Sequence, residues 1–198
     1  MKNPFYTILS LLFLTACRPG GPEISGVPLT QYYNNCQIKE FDFGETITIG
    51  DPNDKFMITL PYEWDIQETY SDTLYGMIAT NAPLAENNPD AFLLFSITGY
   101  KTTDSLLTYF SREVASLKKD KTMDVLEAGK MDFNGKDSYW VKFETVENDN
   151  TILNVVKYIK SDQKNEVYLI QSSVNKTGNF DENICILKLL ADSFELVE

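Results

Sequence analysis

The sequence contains no histidine, which removes imidazole acid–base catalysis, the Ser-His and Cys-His nucleophile pairs and the commonest zinc ligand. Basic residues are scarce as well: 17 Lys and Arg stand against 29 Asp and Glu, a formal net charge of −12. Nucleic-acid binding needs a positive footprint to displace counterions from phosphates, so the balance argues against a nucleic-acid partner. No G-x-S-x-G, Walker A or dinucleotide fingerprint occurs, and there is no internal repeat or low-complexity block. What is present is 43% hydrophobic residues in a chain of 198, enough for a real core and one domain of ordinary size.

An apolar run, Phe5 to Leu14, follows the positive Lys2 at the N-terminus. Spanning a bilayer takes ~20 residues, so the run is too short for a comfortable transmembrane helix and reads as a targeting signal. It ends in Leu14-Thr15-Ala16-Cys17, which resembles a bacterial lipobox: Leu, two small residues, then Cys. In signals of that kind the Cys thiol receives a diacylglyceryl group and cleavage makes it the acylated N-terminus. Cys17 is therefore the expected lipid attachment site. Residues 1–16 read as the signal peptide and 17–36 as the lipidated cysteine with a flexible, Pro/Gly-rich tether. Residues 37–198 read as one folded domain. Each acyl CH₂ buried in the bilayer contributes ~0.8 kcal/mol, so the domain needs no membrane-binding surface of its own. The expected location is a bacterial membrane, with the domain lipid-anchored and facing the periplasm or the cell exterior.

Cys36 and Cys185 remain. In an oxidising envelope they can form a disulfide that clips the start of the domain to its last helix, worth ~5 kcal/mol in the chain-entropy model. Alternatively both stay unpaired thiols, with Cys185 packed as a small hydrophobe beside Ile184 and Leu189. Neither has a histidine partner, which disfavours a catalytic thiol.

Along the domain, hydrophobic periodicity sorts the elements. Phe41-Asp42-Phe43 and Thr46 to Ile49 alternate around Gly44, predicting a strand pair or a bulged strand. Phe56 to Leu60 reads as a strand stopped by Pro61, Leu74 to Thr80 as another, and Ala91 to Thr98 as a central strand apolar on both faces. Between Asp104 and Lys119 the apolar residues Leu106, Leu107, Phe110, Val114 and Leu117 recur at helical spacing, with Thr102, Thr103 or Asp104 as candidate caps. Asn134-Gly135 then marks a hairpin between Asp124–Phe133 and Lys136–Val146, and turns lead on to strands Ile152–Lys160 and Val167–Ser173. Asn179-Phe180-Asp181-Glu182 reads as a capping box for a helix through Ile184 and Leu190 that ends near Asp192. Ser193 to Val197 closes the chain as a short extended tail. The fold class is α+β: an antiparallel β-sheet meander flanked by helices.

Phe56-Met57-Ile58-Thr59-Leu60-Pro61-Tyr62-Glu63-Trp64 resembles the opening of PsbP-like domains, where a strand ends in Pro and an aromatic follows. The glycine-centred hairpin and aromatic strand from Gly135 to Phe143, and the final helix ending in Ser193-Phe194, are similar to the same family. The likeness runs over about residues 38–197. It implies an α/β/α sandwich. That family holds a photosystem II extrinsic subunit, a Ran-binding nuclear import factor and bacterial lipoproteins of unknown role, mostly accessory or protein-binding modules. No family catalytic motif carries over to this chain.

Candidate chemistry is limited to carboxylates and aromatics. Asp51, Asn53 and Asp54 share one turn and Glu147, Asp149 and Asn150 another, but neither has the spacing or oxygen count of a calcium loop, so no metal site is assigned. Paired carboxylates are too many in so acidic a chain to single out a glycosidase pair. Trp64 and Trp140, among 12 Phe and 11 Tyr, are either recognition residues or core, with core the simpler reading. Asn175-Lys176-Thr177 matches a glycosylation sequon but reads as a plain loop. The expected function is a non-enzymatic, lipid-anchored envelope lipoprotein that binds a protein partner or assists assembly and uses no cofactor. The alternatives are a small-ligand or divalent-cation-binding lipoprotein and, behind it, a carboxylate-based hydrolase.

Overall fold

Among the described residues of a computed structural model, alternating strands and two amphipathic helices make up the architecture. The structure describes residues 36, 42–51, 54–71, 74–82, 92–147, 150–161, 165–176 and 178–197. In chain order the elements are β1 (Thr46–Gly50), β2 (Phe56–Pro61), β3 (Asp65–Tyr70), β4 (Leu74–Thr80), β5 (Leu93–Lys101), α1 (Leu106–Leu117), β6 (Met123–Phe133), β7 (Lys136–Glu147), β8 (Asn150–Ser161), β9 (Glu166–Asn175), α2 (Phe180–Asp192) and β10 (Glu195–Leu196).

Seven strands form one antiparallel sheet in the order β3-β4-β5-β9-β8-β7-β6. The four-strand meander expected from the turn chemistry is its β6–β9 half. Asn134 and Gly135 both take positive φ, as a two-residue hairpin turn requires. After β5 the chain crosses through α1 to the far edge and meanders back, so β9 pairs with β5, with Ile97 opposite Ile170. Strand β5 is thereby interior, as its apolar run predicts. A second sheet, β1-β2-β10, is an addition to the expected sandwich.

The two faces of the large sheet bury different sets. On one, α1 covers β6, β7 and β8: Leu106, Tyr109, Phe110 and Val114 pack on Tyr139, Val141, Phe143, Val156 and Tyr158. On the other, α2 and the small sheet enclose the larger core, in which Phe56, Ile58 and Leu60 of β2 meet Phe95, Ile97, Trp140, Ile170, Leu187, Leu190 and Phe194. Tyr139, Val141 and Phe143 therefore share one face and Trp140 the other, following the strict two-residue alternation of β7. Ser193 fastens the tail: its Oγ donates to the Thr59 carbonyl and accepts from the Thr59 amide.

Three local expectations are corrected. Helix α1 is capped by Ser105, whose Oγ accepts from the Thr108 amide, and not by Thr102, Thr103 or Asp104. Thr102 Oγ1 instead accepts from the Asp104 amide, and the Asp104 carboxylate takes a hydrogen bond from Arg112, so both are engaged before the helix begins. Asn179 occupies the N-cap of α2, but its side chain makes no cap bond. Its φ of −86° and ψ of 38° lie outside the extended conformation that aims a cap oxygen at the first turn, so no capping box forms. Strand β3, Asp65–Tyr70, was absent from the expected elements; it is a largely exposed edge strand with one half-buried apolar residue, Ile66, and so shows no alternation.

Candidate functional site

Where α1 stops covering the sheet, the inward positions of β8 and β9 change from apolar to polar. Asn154, opposite Phe143 and Ser173, lies on the α1 side of the sheet together with Gln171. Ser173 Oγ donates to Asn154 Oδ1 (2.7 Å), and Gln171 Nε2 donates to both Asn154 Oδ1 (3.1 Å) and Ser173 Oγ (3.0 Å). Asn154 Nδ2 reaches Thr145 Oγ1 of β7 at 3.3 Å. Asn154 and Ser173 are buried. These groups floor a pocket of about 230 Å³, whose walls include Phe92, Leu94 and Ile152. The sequence signal for it is faint: single polar residues inside apolar runs, which become a cluster only through the β8–β9 register.

A second polar cluster joins the β1–β2 turn to the large sheet. Lys55 Nζ lies 2.6 Å from Glu166 Oε1, and Tyr168 OH donates to Glu166 Oε2 at 2.8 Å. Nearby, Tyr70 OH (2.6 Å) and Tyr75 OH (3.2 Å) converge on Glu68 Oε1. Burial, and then the Glu68 carboxylate, pushes the Tyr70 phenol up to about 12. Burial with Glu68 raises Tyr75 further, and burial with the bond to Glu166 does the same for Tyr168. The cavity among them, also lined by Asp51, measures about 40 Å³, room for water and not for a substrate. Asp51 and Glu166 share this cavity, as a two-carboxylate hydrolase would require, but Glu166 is engaged by Lys55 and Tyr168. The cluster is a latch of neutral phenols and an ion pair.

The other expected residues fall as follows. Cys17 lies outside the described residues, as do the signal, the tether up to residue 35, Asn53, Asp149 and Thr177. Cys36 and Cys185 are brought together, Cα atoms 5.4 Å apart and sulfurs 2.05 Å. Asp51 is buried while Asp54 is exposed, so the acidic turn does not converge. Among the described residues, no group of three His, Cys, Asp or Glu is placed to hold a metal. Trp64 and Trp140 are both buried in the larger core, which assigns them to packing and not to recognition. No described helix is long and apolar enough to cross a membrane.

No protein-family model matches the chain, and no curated protein matches it by sequence. Its structure is similar to cyanobacterial PsbP (CyanoP) of Synechocystis, with a TM-score of 0.54 and 14% identity over 77% of this chain and 92% of that one. It is also similar to the Ran-binding protein Mog1p of Saccharomyces cerevisiae, with a TM-score of 0.53 and 12% identity over 78% of this chain and 96% of that one. The antiparallel sheet with the two helices found among the described residues is thus the α+β fold shared by PsbP and Mog1.

Proposed function

We propose that the protein is a lipid-anchored accessory module of the bacterial cell envelope, non-enzymatic, that binds a protein partner. Cys17 carries the lipid, residues 1–16 are the signal, 17–36 hold the domain off the membrane, and 37–198 fold as one unit that a Cys36–Cys185 disulfide closes. The observation that carries the reading is the half of the seven-stranded sheet that, among the described residues, α1 does not cover. On the α1 side of β3 and β4, Ile78, 48% exposed, lies between the exposed Gln67 and the half-buried Ser96. An apolar residue displayed at the centre of an uncharged strip suits a docking face. The likeness in fold to a Ran-binding protein supports the same reading.

Cys17→Ser should move the protein from the membrane to the soluble fraction, and retention would overturn the anchor. Non-reducing peptide mapping should recover Cys36 linked to Cys185; free thiols on both would leave packing alone. Cross-linked envelopes should yield one reproducible partner with the wild type and lose it with Ile78→Asp at unchanged melting temperature. A partner indifferent to Ile78→Asp would reject the sheet face. A second reading, a small-ligand-binding lipoprotein, is favoured by the pocket over Asn154, Gln171 and Ser173.

A further inference from the structure

We infer that the pocket on the α1 side of β8 and β9 takes a neutral polyhydroxylated ring, the chemistry of a single sugar unit; the inference rests on the small-ligand reading and names its ligand class. The argument begins with the amides. Gln171 Nε2 faces two oxygens, Asn154 Oδ1 and Ser173 Oγ, so the amide must present its nitrogen to them and turn Oε1 away from the network. Thr145 Oγ1 accepts from Asn154 Nδ2 and keeps its own proton to donate. The pocket therefore offers an acceptor and a donor, each oriented by bonds already made. A hydroxyl is both donor and acceptor, and a ring carrying several satisfies the two at once.

Charge and shape narrow the class. Among the described residues lining the pocket none is charged, although the chain carries 29 acidic and 17 basic residues. An ionic ligand would shed its hydration there and gain no counter-charge, so the ligand is neutral. Phe92, Leu94 and Ile152 offer apolar wall for the C–H face of a ring. A wholly apolar ligand would instead bury Gln171 Oε1 and the Thr145 hydroxyl unsatisfied. The volume of about 230 Å³ falls below the roughly 300–1,000 Å³ of drug-sized sites, which fits one ring and not a chain.

The test uses the full chain in a detergent without a sugar headgroup. Glucose, galactose, mannose and N-acetylglucosamine are titrated at millimolar concentrations by saturation-transfer NMR and calorimetry, beside glucuronate and the peptide-like N-acetylglutamine amide. At least one neutral sugar should bind, with glucuronate weaker. Gln171→Leu and Thr145→Val should each weaken that sugar roughly tenfold, the usual effect of stranding a buried polar group, in protein that stays folded at the assay temperature. Should either variant unfold, Phe92→Ala at the half-buried wall provides the same readout. Sugar binding untouched in these variants overturns the site. Binding of the amide alone rejects the sugar while keeping a small-ligand pocket, and silence from every probe rejects both.

Discussion

Trp140 shows how much of this core is decided by a residue with no side chain. Its indole lies flat against Gly129, the opposing residue on β6, so that a Cβ there would stand 2.5 Å from Nε1 and within 2.9 Å of two ring carbons. The ring is rigid and fully buried, so it has no flexible end to move aside. Gly129→Ala should therefore destabilise the fold by roughly 1–3 kcal/mol, the usual cost of overpacking, read as a lower denaturant midpoint. Combining it with Trp140→Phe should recover part of that loss, and an additive double mutant would refute the contact. Core is the simpler reading of Trp140 from sequence, although alternation puts it on the face of Lys142 and Glu144; its glycine partner is not legible there, since only the β6–β7 register brings the two together.

Among the elements, legibility follows burial on one face. The meander from β6 to β9 could be read because each strand alternates and each turn carries its own chemistry, with Asn134-Gly135 the clearest. Strand β3 could not, because an exposed edge has no reason to alternate, and its acidic Asp65 and Glu68 serve to discourage edge pairing. Helix α1 is legible in its apolar stripe but not in its cap: the candidates Thr102, Thr103 and Asp104 all precede Ser105, the residue whose Oγ meets the first turn. Ser105→Ala should cost about 1 kcal/mol in thermal or chemical unfolding. Thr102→Ala, by contrast, should leave the helix intact, and equal losses in the two would shift the cap back to the earlier position. The pocket left only a faint trace in the sequence, because Thr145, Asn154, Gln171 and Ser173 belong to three strands and meet only after pairing.

For the whole molecule, the absence of histidine removes the usual mid-range titration, and the alkaline limb belongs to tyrosine. Burial first, then Glu113, holds the Tyr109 phenol at about 12; Tyr70 stands at about 12 as well, and Tyr75, Tyr158 and Tyr168 are raised more strongly. Phenols whose folded values lie above the unfolded value of about 10 contribute stability that is complete below that pH and lost as pH rises through the folded values. Burial lowers the Lys157 ammonium, with Asp192 partly restoring it, so that residue acts in the opposite sense, gaining stability as pH rises. Burial raises the Asp192 carboxyl, and Lys157 and Lys188 outweigh it to hold the group below its ordinary range, so its contribution disappears only as pH falls below about 4. Five phenols outweigh one ammonium, and the melting temperature should drop steeply above about pH 10. Tyr158→Phe should flatten that descent, and an unchanged slope would exclude Tyr158 from it.

The bond from Ser193 to Thr59 spans 134 residues, and the pairing of β10 with β2 closes a loop of similar length. Such closures are entropically slow, and the ribosome adds to the delay. While synthesis proceeds, β2 presents Phe56, Ile58 and Leu60 to solvent with Phe194 still unmade. The larger core is thus obliged to stay open until the last residues are made, leaving its apolar strands exposed to chaperones and proteases in the meantime.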